Sequence, residues 1–154
     1  MRSKQSIVES IAALLIFLFL YTGVSKYFDH DNFRAVLHAS PLLGQMSGAI
    51  ALLLPGLELG IVLLLILPKT RLWGFWASGI LLTMFTLYLV YMIKFSPKLP
   101  CSCGGVIGKL SWKGHIFFNS FFILLSVVGV KLQNKLKNNS NQHIDHSAVP
   151  LRVG

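Results

Sequence analysis

Charge is what this chain has least of. Only 12 % of its 154 residues are charged, and five acidic side chains face fourteen lysines and arginines. Soluble domains carry about a quarter charged residues. The deficit therefore argues against a water-soluble globular protein. With apolar runs of helix-spanning length beside it, it points to an integral membrane protein. The net charge of +9 does not make a nucleic-acid binder, because the basic residues stand at the ends of apolar segments and form no patch interleaved with aromatics. They read as helix-end anchors facing lipid head groups. No polar stretch is long enough to build a soluble core of its own. Cysteine is almost missing too: there are two, Cys101 and Cys103, with one residue between them.

What is present is apolar sequence in four blocks. Their lengths predict an all-α, integral membrane four-helix bundle with spans at residues 7–26, 45–67, 72–93 and 115–131, since about 20 residues at ~1.5 Å each cross a bilayer. The first block is interrupted by Glu9. It is too long for a typical signal-peptide core, and Tyr21-Thr22-Gly23-Val24-Ser25-Lys26 offers no ordinary cleavage site, so a retained helix is expected. After it, residues 27–38 predict a short amphipathic connector, with Asp31 or Asn32 as cap and Phe33, Val36 and Leu37 on one face. The second block holds Pro55-Gly56-Leu57-Glu58. Pro55 should kink the helix, and Gly56 with Gly60 offers a small face for a neighbouring helix. The third follows the tight basic turn Pro68-Lys69-Thr70-Arg71 and carries Trp73 and Trp76 at one end, Tyr88 and Tyr91 towards the other, as interfacial aromatics would. Residues 1–132 thus form the membrane domain. Residues 133–154 are polar and are expected to be a disordered cytoplasmic tail, in which His143 and His146 read as solvated rather than metal-binding.

Four spans put both termini on one side. Arg2, Lys4 and the basic turn at Lys69 and Arg71 favour termini in the cytoplasm. The loop with Cys101 and Cys103 then faces out, into the periplasm of a Gram-negative bacterium. In that oxidising compartment a disulfide persists.

That loop reads Pro100-Cys101-Ser102-Cys103-Gly104-Gly105. A disulfide needs Cα atoms about 4.4–6.8 Å apart, so the backbone must turn between the two cysteines. Pro100 fixes φ before the pair and the glycines free the chain after it. The closed ring would be strained and easily reduced, which suits exchange. As a staple it would close almost no loop and stabilise little. A thiol–disulfide oxidoreductase is therefore the leading reading, with His115, Lys109 and Lys113 as helpers that lower a thiol pKa. The start of the fourth helix would add a favourable dipole. Two alternatives use the same residues. Cys101 and Cys103 can ligate Cu(I), with His115 as a third donor, or the chain is a non-enzymatic subunit of a larger membrane complex.

Glu58 is the other candidate. A carboxylate near mid-membrane is costly and is by default a functional hypothesis. Its expected partners are Asn119 or Thr83. A proton or quinone role stands beside a purely structural one. Lys26, at the outer end of the first helix, is expected to snorkel to the head groups. His115 and Asn119 are four apart and share a helix face directed into the bundle.

The segments Tyr21-Thr22-Gly23-Val24-Ser25-Lys26-Tyr27-Phe28-Asp29, Pro55-Gly56-Leu57-Glu58-Leu59 and Pro100-Cys101-Ser102-Cys103-Gly104-Gly105, with Ser111-Trp112 and His115, resemble the MauE/DoxX-like membrane proteins over residues 7–132. The resemblance implies a four-helix inner-membrane bundle with a redox-associated role. In methylamine-utilisation loci that role is the maturation of an extracytoplasmic dehydrogenase subunit. It implies an extracytoplasmic thiol or disulfide protein as partner. Through a distant likeness to DsbB and vitamin K epoxide reductase it also makes a quinone the candidate cofactor. Those enzymes use Cys-x-x-Cys, whereas this chain has Cys-x-Cys and no second pair.

Overall fold

The computed structural model describes residues 2–38, 44–95 and 112–147. They form five α-helices and a single 3-10 turn: α1 (Arg2–Phe28), α2 (His30–His38), the turn Gly44–Met46, α3 (Ser47–Ile66), α4 (Arg71–Phe95) and α5 (Trp112–Ser147). Among the described residues there are no strands. Stretches of α1, α4 and α5, together with α3 and the turn before it, are long and apolar enough to cross a membrane: Ser3–Phe28, Gly44–Ile66, Arg71–Tyr91 and Gly114–Asn139. Each spanning helix is apolar on every side, because the outward faces meet lipid rather than water. Phe17, Leu52, Leu63, Met84, Phe117 and Leu124 are accordingly exposed on the bundle's outside.

The helices pack in a ring in the order α1, α3, α4, α5, with α5 returning to α1. Glycine permits the closest approaches. A Cβ on Gly129 of α5 would lie 2.7 Å from the Phe75 ring of α4, and one on Gly74 would lie 2.9 Å from Leu65 of α3. These pairs run antiparallel, joining the start of α4 to the end of α3 and to the middle of α5. The half of the bundle near the α1 N-terminus is an apolar core in which Leu15, Leu65 and Phe75 are fully buried. Ser78 and Ser126 are also buried there, and each hydroxyl donates to a carbonyl of its own helix, Gly74 at 2.7 Å and Phe122 at 3.0 Å. That back-bonding satisfies a hydroxyl in an apolar setting.

The basic turn closes α3 tightly. Thr70 Oγ1 donates to the Leu64 carbonyl at 3.0 Å, and Arg71 Nε donates to that of Leu65 at 3.2 Å. These side chains take up carbonyls that a helix end leaves without partners. At the other end, α2 follows α1 after Asp29 alone. The Asp29 carbonyl accepts from Phe33 N at 3.0 Å, so Asp29, not Asp31 or Asn32, begins the helix. Phe33 and Leu37 are buried against Ala51 of α3, so the amphipathic connector is folded onto the bundle.

Two expectations change. Among the described residues, and apart from the helix's own backbone, no atom lies within 4 Å of a Cβ built on Gly56 or Gly60, so this pair faces away from the neighbouring helices. The helix also does not stop at Lys131 but continues to Ser147, through residues expected to be disordered. Leu132 and Leu136, four apart on one face, pack against the main core and carry the helix onward. At ~1.5 Å per residue, α5 is too long for the hydrocarbon layer and projects beyond it.

Candidate functional site

The buried ionisable residues of the bundle, Lys26, Glu58 and His115, lie in the half nearest the α1 C-terminus. Lys26, two residues before the end of α1, turns inward. Its Nζ donates to Glu58 Oε1 of α3 at 2.6 Å. Both residues are buried, at 4 % and 5 % exposure. Snorkelling is therefore the wrong account of Lys26, and the partner of Glu58 is neither Asn119 nor Thr83. The Thr83 hydroxyl is exposed and donates to the Gly79 carbonyl at 2.7 Å. The reason is energetic: a carboxylate away from water needs a counter-charge, and the adjoining helix offers one within reach.

Local sequence makes the pair fit. Gly23 lies one turn below Lys26, and a Cβ there would be 3.3 Å from Glu58 Oε2 and 3.7 Å from the Pro55 carbonyl. The missing side chain lets α1 and α3 close around the carboxylate. Pro55 is buried within α3 on the same face as Glu58. From α2, the Phe33 ring covers the ammonium, with its centroid 5.9 Å from Lys26 Nζ. This is at the outer limit of a cation–π contact.

Opposite the pair, α5 presents His115 and Asn119, at 2 % and 5 % exposure. The expected shared face is thus present and turned inward. Thr22, Lys26, Glu58, His115 and Asn119 line one cavity of about 50 Å³, walled by Phe19, Phe85, Phe118 and leucines of α1, α3 and α4. Three buried polar atoms have no hydrogen-bond partner among the described residues: Glu58 Oε2, His115 Nδ1 and Asn119 Nδ2. All three belong to side chains lining this cavity. Buried polar groups are nearly always satisfied, so three orphans around one space set it apart from the apolar half.

Cys101, Cys103 and Lys109 lie outside the described residues, as do the side chains of Lys113, His143 and His146. Of the sequence-derived candidates, the structure brings Glu58 and His115 to one cavity. Asn119 joins them on its expected face, Lys26 turns inward against expectation, and Thr22 is added by the structure alone. The signal for Lys26 was available: a lone carboxylate in one span, and a lysine just inside the end of the span before it. Among the described residues, no group of three or more His, Cys, Asp or Glu could hold a metal ion.

The family model for methylamine utilisation protein MauE matches residues 4–132, which is all four spans apart from the end of α5. No curated protein and no solved structure matches the chain. The chain belongs to the MauE family, and its four apolar helices make it a membrane protein.

Proposed function

We propose that this MauE-family protein performs thiol–disulfide exchange with an extracytoplasmic partner, through Cys101 and Cys103. The observation that carries the reading is the sequence of the α4–α5 connection, which holds both cysteines of the chain as Pro-Cys-Ser-Cys-Gly-Gly. Family membership supports it, as does the position of His115, three residues into α5 and buried at the same end of the bundle.

In the maturation direction, a partner thiolate attacks the Cys101–Cys103 disulfide. One sulfur–sulfur bond breaks and a mixed disulfide forms. The partner's second thiolate attacks that bond, forming the partner's disulfide and releasing the second cysteine. Two electrons pass to the pair, which leaves as a dithiol after taking up two protons. A quinone in the membrane is the acceptor class that would reset it. His115 serves as the group that exchanges protons with the thiols, and Glu58 with Lys26 fixes the helices around it. The bacterial inner membrane, cytoplasmic termini and a periplasmic cysteine loop complete the reading. The orientation rests on the basic residues at the α1 N-terminus and in the α3–α4 turn.

Acid quench and alkylation of intact cells test this. Wild type should show a mixture of oxidised and reduced Cys101/Cys103, and Cys101→Ser or Cys103→Ser should trap a partner in a mixed disulfide. Permanently reduced thiols with no trapped partner refute the exchange role. Protection of both thiols by Cu(I) in that case would favour a metal-binding module. Full function with serine at both positions would favour a structural subunit.

A further inference from the structure

The thiol reading makes no use of the cavity itself, nor of Asn119 and Thr22. Around this space stand an ion pair with one spare carboxylate oxygen, an imidazole nitrogen and an amide nitrogen, all buried. Together they offer acceptors and a donor to one small guest. A cavity needs about 10–15 Å³ of such volume to admit a water, which requires two to four polar partners. This one has about 50 Å³ and at least three polar atoms without partners. The apolar groove between α4 and α5 offers no comparable set, since Thr83 and Ser126 already donate to their own helices.

We propose that the cavity is a one-sided water site: bound water bridges Glu58 Oε2, His115 Nδ1 and Asn119 Nδ2 and exchanges with the aqueous phase on the cysteine-loop side only. Access from that side follows from position. Lys26 is two residues from the end of α1 and His115 is three from the start of α5. Closure on the other side follows from packing, because Leu15, Leu65 and Phe75 fill the core with no exposure. The site therefore lets buried polar groups trade protons with one face of the membrane and conducts nothing across it. Its existence does not depend on the thiol chemistry, although that chemistry could use it.

The test employs the full chain with Cys101 and Cys103 replaced by serine, so that any introduced cysteine is the sole thiol. Thr22→Cys and Asn119→Cys report on the cavity, and Ser78→Cys and Ser126→Cys report on the apolar half. A small charged methanethiosulfonate is added to one side of sealed membrane vesicles. The reagent needs water and thiolate, and each unit by which a dry site raises a thiol pKa removes about tenfold of its thiolate. The cavity thiols should react at least about tenfold faster than the serine-site thiols, and only with reagent on the loop side. If Asn119→Cys does not fold, the milder Thr22→Cys change still decides. Cavity thiols as inert as the Ser78→Cys and Ser126→Cys controls would overturn the water site. Equal reaction from both sides would overturn its one-sidedness. With both native cysteines gone, neither result bears on the exchange reaction.

Discussion

Breaking the Lys26–Glu58 pair is the most informative perturbation of the fold. At 2.6 Å and an effective dielectric constant of about 20, the Coulomb attraction is about 6 kcal/mol. Desolvation of both ions offsets much of it. Removing one partner strands the other, at a cost of about 3–5 kcal/mol. Lys26→Met and Glu58→Gln should each destabilise by about that amount. The double variant leaves no unpaired charge. It should lose no more than about 3–5 kcal/mol, where simple addition gives about 6–10 kcal/mol. The coupling should thus be about 3 kcal/mol or more. Reversible unfolding of the full chain in mixed micelles, followed by circular dichroism, measures all four corners of the cycle. Losses that add to within about 0.5 kcal/mol would refute a coupled pair.

Four further outcomes are expected. Gly129→Ala places a methyl 2.7 Å from the Phe75 ring and should cost about 1–3 kcal/mol. Gly56→Ala meets no described atom beyond its own helix backbone within 4 Å and should be neutral or stabilising by up to ~1 kcal/mol, so the same melting assay should return opposite signs. Thr70→Val removes the hydroxyl that caps the Leu64 carbonyl and should cost about 0.5–1.5 kcal/mol, read as a lower melting temperature. Leu136→Ser removes a contact that carries α5 past the bilayer. It should speed amide exchange in residues 133–147 while residues 115–130 keep their protection, and unchanged exchange would show that the extension needs no packing.

The sequence by itself determined the membrane class, the four spans and the amphipathic connector, because these follow from apolar run length and local periodicity. It also determined that Glu58 needs an explanation, since a carboxylate in a span costs free energy wherever the helix lies. It fixed the pairing of His115 with Asn119 on one face, which depends on helical spacing alone. Tertiary structure decided what local pattern does not encode. Lys26 at a helix end could reach outward or inward, and only the approach of α3 over Gly23 offers it a carboxylate within reach. Gly56 and Gly60 have the spacing of a contact motif, yet which face of α3 meets α1 was set by Pro55 and Glu58 lying opposite Gly23. The extent of α5 is not legible locally because a polar composition hides Leu132 and Leu136, which pack against the main core. The cavity, finally, is a property of four helices at once: each contributes one wall, and no single segment carries its outline.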